Sequence, residues 1–200
     1  FNNFNTTHQG AMAYYSLMAA AQGMAGIASV CSPANMAPYG ARVPGVHNSP
    51  IAIAVPGGKH RPISLDMATS VAAGGKLELA KDKGIPIPDT WALDASGQPT
   101  TDPNLYKSLM PFGGAKGSGL ALMFECLSSL MVGNPLLQPQ ESGNVVRGMQ
   151  NSFIAAINIA TFTDINSYKD DVDRLVEGIK ALPKVEGTEE IFVPGELENR

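Results

Sequence analysis

The chain has 200 residues, 14 basic against 18 acidic for a net charge of −4, and is 44% hydrophobic and 16% charged. That length predicts a single domain able to bury roughly 70% of its unfolded surface, and that composition excludes a disordered chain. The 21 glycines and 15 prolines lack a collagen period and predict many turns instead; with no basic stripe, nucleic acid is not an expected partner.

The first seven residues are Asn-rich and uncharged, unlike a signal peptide, although Asn5-Thr6-Thr7 is formally a glycosylation sequon. Residues 11–22 are rich in Ala, Met and Tyr and predict a helix stopped by Gly23. Residues 11–31 together are too polar and too broken by glycine for a span of about 20 apolar residues, so no membrane segment is expected. Residues 27–30 read as a short strand and 33–46 as a Pro/Gly-rich loop. Residues 51–55 and 63–66 read as strands around the turn Pro56-Gly57-Gly58. A helix is expected over 69–83, then a turn-rich segment over 86–102 with an Asx-type turn at Asp94. Asp102-Pro103 resembles an N-cap with Pro at the first helical position, predicting a short helix to residue 109. A glycine loop over 113–119 precedes an apolar helix over 120–132. A buried strand over 153–159, a helix over 168–182 with one apolar face and a last strand over 191–193 complete the chain. Alternating strands and helices predict an α/β domain.

Gly113-Gly114-Ala115-Lys116-Gly117-Ser118-Gly119 is the most suggestive stretch for chemistry. A glycine loop before a helix directs backbone N–H groups and the positive end of the helix dipole at an anion, and Lys116 adds a point charge. It is neither a Walker A motif nor a Rossmann fingerprint. A tight turn whose glycines permit close packing explains the spacing equally well. His8, in a polar stretch just before a helix, is an acid/base candidate, because its pKa near ~6.5 permits both protonation states; an exposed or helix-capping histidine is the alternative. His47 and His60 lie in Gly/Pro-rich loops and are expected to be solvated. No His, Cys or acidic grouping has metal-ligand spacing, so no metal site is expected. Asp66 ends a strand, where α/β sheets bind ligands; alternatively it caps a helix starting near Thr69. Glu125, in an apolar helix, needs a structural partner if buried. Cys31 and Cys126 lie in apolar runs and are expected to be reduced, buried thiols. A cytoplasmic protein is the expectation.

In this order the motifs resemble the malate/L-lactate dehydrogenase family, whose nicotinamide-binding fold is not of the Rossmann type. They are Thr7-His8-Gln9-Gly10-Ala11, Ser32-Pro33 with Ala37-Pro38-Tyr39-Gly40, Asn48-Ser49-Pro50-Ile51-Ala52 and Leu65-Asp66-Met67-Ala68-Thr69-Ser70. Gly75-Lys76, Ile87-Pro88-Asp89-Thr90-Trp91-Ala92, Pro99-Thr100-Thr101-Asp102-Pro103, the stretch from Pro111 to Leu120 and Pro194-Gly195-Glu196 follow. The resemblance implies an α/β fold built on a mixed β-sheet with flanking helices. It implies hydride transfer between NAD or NADP and a small 2-oxo or 2-hydroxy acid, or a cyclic imino acid, and a homodimer. It implies His8 as the acid/base, and Ser32, Asp66, Met67, Ala68, Lys116, Gly117, Gly195 and Glu196 as cofactor-binding residues. The chain has His47-Asn48-Ser49-Pro50 where the family usually has Gly-Thr-Asn-Pro. The family's Ser-His-Gly-x-x-x-Arg stretch, thought to hold the substrate carboxylate, is absent. Residues 1–200 are therefore expected to be the cofactor-binding and catalytic core, lacking the family's N-terminal helical portion and C-terminal segment. The competing readings are a catalytically inactive cofactor-binding fragment and a phosphate-binding module unrelated to redox chemistry.

Overall fold

The computed structural model describes residues 1–136 and 149–199. In chain order the elements are β1 (Asn2–Thr6), α1 (Ala13–Ala21), β2 (Met24–Cys31), β3 (Ile51–Val55), β4 (Ile63–Met67) and α2 (Gly74–Lys83). After these come β5 (Ala92–Leu93), β6 (Ser108–Leu109), α3 (Ala115–Ser128), β7 (Gln150–Asn158) and α4 (Ile165–Lys180). Five strands form a sheet in the order β1-β7-β2-β3-β4, and β5 and β6 form a small antiparallel pair. This is the expected α/β class, a sheet flanked by helices. Among the described residues no helix is long and apolar enough to cross a membrane.

The chain divides into two compact units. The first comprises Phe1–Gln9, Ser29–Pro50 and Met67–Phe153. Its core gathers Met36, Val46, Leu77, Ile87, Leu109 and Ala121, with Trp91 and Tyr106 packed against them. β1 pairs antiparallel with β7, with a register shift between Asn3 and Thr6. That strand was not expected. Its asparagines disfavour strand structure, but Asn5 adopts a positive φ of 55° while its N–H donates to the Asn151 side chain. Residues 69–73 are not helical as expected. The Thr69 N–H donates to the Asn48 carbonyl and the Val71 N–H to the Met110 carbonyl, so the chain bends through this stretch without turning into a helix until α2 begins at Gly74. The helix expected after Pro103 is also absent. The Asp102 carboxylate accepts the Asn104 N–H in an Asx turn, and Lys107 and Leu109 donate to the Leu93 and Asn35 carbonyls, which draws the segment into β6. Finally, α3 starts at Ala115 rather than Leu120, so Gly117 and Gly119 are helical residues.

The second unit comprises Gly10–Ala28, Ile51–Asp66 and Ile154–Arg200. In β3 the alternation of Ile and Ala puts Ala52 and Ala54 on the buried face, and α1 packs on this strand. Asp164 caps α4 by accepting the Ser167 N–H. Of the apolar face expected there, Val172 and Val176 are buried on α4, whereas Leu175 and Ile179 on it and Leu182 just beyond it are exposed. Residues 191–193 form no strand; the Val193 N–H donates to the Glu196 carboxylate instead.

Candidate functional site

In the first unit, a ladder of hydrogen bonds joins the C-terminal end of β2 to the start of α3. Cys31 Sγ lies 3.0 Å from Ser49 Oγ. Next to Ser49, the Asn48 carbonyl accepts the Thr69 N–H at 3.0 Å. The Thr69 carbonyl accepts the Phe112 N–H at 3.0 Å, and the Phe112 carbonyl accepts the Gly117 N–H at 2.9 Å. Asn48 is the hub of this ladder. Its N–H donates to Asn35 Oδ1, and its side-chain amide donates to Ser70 Oγ. The departure from the family's Gly-Thr-Asn-Pro pattern covers His47, Asn48 and Ser49, and the Asn48 side chain within it donates to Ser70 Oγ and accepts from the Asn35 amide.

The ladder brings the neighbourhoods of Ser32, Met67, Ala68 and Gly117 together. Ser32 follows Cys31, and Met67 and Ala68 lead into Thr69. The hydroxyls of Ser32 and Thr69 are buried and have no partner among the described residues. Such groups cost free energy unless something external satisfies them.

The glycine stretch divides its labour. Gly113 and Gly114 have φ of 55° and 60°, which few residues other than glycine adopt, and they make the turn into α3. Gly117 is a packing position: a Cβ there would stand 2.4 Å from the Thr69 carbonyl oxygen and 2.6 Å from that of Phe112. The N–H groups of Lys116 and Gly117 are not free for an anion. They donate to the Gly113 and Phe112 carbonyls. What remains for an anion is the positive end of the 14-residue helix and the exposed Lys116.

His8 is exposed, in the loop just beyond β1. The approach to it is well fixed. Asn151, fully buried, accepts the Asn5 N–H and donates to the Asn134 carbonyl. Thr6 Oγ1 donates to the Gln150 carbonyl and accepts from the Gln9 side chain at 2.7 Å. An irregularity in a strand next to a candidate catalytic residue is a common way of aiming a side chain. Asn151 escaped the sequence reading, because it stands in the polar run Gln150-Asn151-Ser152 ahead of the apolar part of β7.

His47 is a correction. It is half-buried, and desolvation pushes its pKa down to about 4 against a hydrogen bond with the Val30 backbone. Cys31 is fully buried, and burial pushes its thiol up to about 12, which leaves it unreactive; Cys126 is half-buried, and both cysteines are free. Glu125 is 3% exposed and has the structural partners expected of it, the Ser129 hydroxyl and the Leu136 N–H.

In the second unit, Asp66 caps a helix, but not the one expected: its Oδ2 accepts the N–H of Ala13, the first residue of α1, at 2.8 Å. Gly195, with φ of 93°, lies against β4, where the Ser64 N–H donates to the Pro194 carbonyl. Asp66, Ser64, Arg61 and Gly195 share the wall of a cavity of about 300 Å³. Glu196 is held by both oxygens. Lys180 Nζ lies 2.9 Å and 2.8 Å from them, and the Val193 N–H also donates to it. The lysine and the amide hold its carboxyl below the ordinary range. On α4, Asp173 accepts the N–H groups of Gly58, Lys59 and His60, so the β3–β4 turn is tied down, and those bonds lower its pKa.

The family model for malate/L-lactate dehydrogenase matches residues 3–200. The chain belongs to that family. It is 40% identical to the L-sulfolactate dehydrogenase of Methanocaldococcus jannaschii, over 98% of this chain and 57% of that protein. It is 31% identical to the ureidoglycolate dehydrogenase (NAD(+)) of Escherichia coli O157:H7, over 94% of this chain and 55% of the relative. The crystal structure of malate dehydrogenase from Entamoeba histolytica superposes with a TM-score of 0.89 at 28% identity, covering 99% of this chain and 60% of that one. The chain therefore spans little more than half the length of the curated relatives it matches.

Proposed function

We propose that this chain is the cofactor-binding and catalytic core of an NAD(P)-dependent dehydrogenase acting on a small 2-hydroxy acid, or on its 2-oxo counterpart in reverse. The observation that carries the proposal is the pair of buried, unpartnered hydroxyls at Ser32 and Thr69, on a ladder that also fixes the start of α3. Two orphaned hydroxyls near a helix N-terminus and an exposed lysine suit a polar, anionic cofactor.

In this reading Ser32 and Lys116 hold the cofactor's polar and anionic groups, and Met67 and Ala68 line it. Gly117 acts through packing, by letting α3 approach Thr69. Gly195 allows close approach of a ligand, and Glu196 orders the turn that carries it. A nicotinamide bound there would supply or take up the hydride at carbon 2 of the acid. His8 handles the proton. Its imidazolium donates to the alkoxide oxygen during reduction, and its neutral form takes the proton back during oxidation. A cytoplasmic homodimer fits the free thiols and the exposed Leu122, Met123 and Met131. The names of the relatives suggest malate-like, sulfolactate-like or ureidoglycolate-like substrates.

The alternative reading is cofactor binding without turnover. Following consumption of NADH and NADPH with a panel of 2-oxo acids separates the two. Turnover supports the dehydrogenase, and binding without turnover supports the fragment. Absence of any cofactor binding contradicts both.

A further inference from the structure

A cavity of about 500 Å³, a volume within the range of small-molecule sites, lies wholly within the first unit. None of the residues assigned above to the cofactor or to proton transfer lines it. Its wall is apolar, built from Pro38, Tyr39, Val71, Leu93, Met110 and Pro111. Tyr39 and Val71 are exposed although they stand on that wall. Arg42 carries the one charge on the lining. It is exposed and has no ion-pair partner among the described residues, so the cavity presents a single uncompensated cation. The root of Arg42 is fixed by close packing: a Cβ on Gly97, whose φ is 81°, would stand 2.3 Å from Arg42 Cβ. Asp94, the acidic group of the same turn, is engaged there, accepting from the Ser96 N–H, the Ser96 hydroxyl and the Gln98 N–H. Asp89, exposed and next to Thr90 on the lining, is the other carboxylate that would oppose an anion. The frame is tied down by backbone bonds. The Ala41 N–H donates to the Pro38 carbonyl, the Val71 N–H to that of Met110 and the Met110 N–H to that of Trp91, while the Tyr39 N–H donates to Ser118 Oγ.

We propose that this cavity is a binding site for a small aromatic monocarboxylate, with the ring on the apolar wall and the carboxylate on Arg42. The planar guanidinium matches the two oxygens of one carboxylate, and a lone cation favours a monoanion over a phosphate or a dicarboxylate. The flat faces of Tyr39 and the prolines and the polarisable thioether of Met110 suit an aromatic ring better than a flexible polar chain. A bare anion would leave that wall uncovered, and an uncharged ring would leave Arg42 unused. The site goes beyond the cofactor reading and does not depend on it.

Titration of the whole chain with phenylacetate, phenylacetamide and acetate tests this, followed by calorimetry and by the emission of Trp91. That residue is the single tryptophan of the chain, and its carbonyl is bonded to Met110 on the cavity wall. Phenylacetate should bind saturably and change the emission. Phenylacetamide, which keeps the ring and loses the charge, should bind about 10- to 100-fold more weakly, the range expected for hydrogen bonds to a charged group. Acetate, which lacks the ring, should not saturate over the same range. Arg42→Ala should abolish the preference for acid over amide, and Arg42→Lys should keep an intermediate one. Val71→Asp, at an exposed wall position, should weaken both ligands, and Arg61→Ala, which removes an exposed cation in the other unit, should change neither. Circular dichroism verifies that each variant is folded. Saturating NADH should not displace phenylacetate. No saturable binding of phenylacetate up to about 10 mM, equal affinity for acid and amide, a preference that survives Arg42→Ala, or displacement by NADH would overturn the proposal. If NADH does not bind the chain at all, the cofactor reading falls, and the titrations of acid and amide with the Arg42 variants still decide the carboxylate site.

Discussion

His8 and His47 show how differently one residue type behaves in two loops of the same unit. His8 was legible as an acid/base candidate because polar neighbours leave it at the surface, and it is exposed. Its replacement by Ala in an active protein should lower kcat by roughly 10²- to 10⁴-fold with little change in cofactor affinity, the usual scale for losing a general acid–base. Steady-state kinetics with a cofactor titration decide this; an unchanged kcat removes His8 from the mechanism. His47, by contrast, reads from its Pro/Gly-rich flanks as solvated and is in fact held neutral, its pKa pushed down to about 4. The unfolded chain takes up this proton near pH ~6.5, before the folded protein does, so the folded state loses stability as pH falls through that window. The loss is at most about 1.4 kcal/mol per pH unit between about 6.5 and 4. Urea melts across this range should show a flatter dependence in His47→Gln. An identical slope in both proteins would mean that His47 titrates normally. Carboxylates held low, such as Asp173, lose their contribution only at more acid pH, as it falls below the ordinary carboxylate range. Asn151 and Asp173 were not legible as structural keys, because the Asn5 N–H that Asn151 accepts and the turn N–H groups that Asp173 accepts lie more than a hundred residues away in the chain.

At the level of elements, periodicity and punctuation located most helices and strands, and long-range hydrogen bonds moved their ends. The Gly-rich stretch shows why. Read locally it is a loop with free donors, but its N–H groups turn inward and Gly117 becomes the contact between α3 and Thr69. Only the presence of the 67–70 segment explains that choice, and no local pattern reports it. The same holds for β1, whose asparagines argue against a strand until β7 supplies the partner. Two alanine substitutions two residues apart on α3 therefore have opposite expected effects. Gly117→Ala forces a methyl group into backbone carbonyls and should destabilise by about 2–3 kcal/mol. Gly119→Ala meets open space on a helix and should stabilise by about 0.5–1 kcal/mol. Equilibrium unfolding in urea measures both; equal effects would show that Gly117 is not a close-packing position.

Across the whole molecule, two compact units divide the proposed cofactor residues between them: Ser32, Met67, Ala68, Lys116 and Gly117 in one, Asp66, Gly195 and Glu196 in the other. The ordered set of motifs made the family and the α/β class legible from sequence, since no single motif is specific but their succession along the chain is. The division into units was not, because it cuts through β2, β4 and β7 rather than falling at a linker. If the cofactor reading holds, a nicotinamide dinucleotide binds only the folded state and stabilises it. At about 100 times its Kd the gain is ~2.7 kcal/mol, or roughly 5–11 °C in Tm for a chain of this size. Lys116→Ala should shrink that shift, because it removes a point charge from the start of α3. It should change the unliganded Tm by no more than ~0.5 kcal/mol would, the lysine being exposed. The most direct measurement is a thermal melt of the chain and of Lys116→Ala with and without NADH and NADPH: a cofactor-dependent rise in Tm that is smaller in the variant is the predicted result, and no rise with either dinucleotide in the unmutated chain would contradict the account.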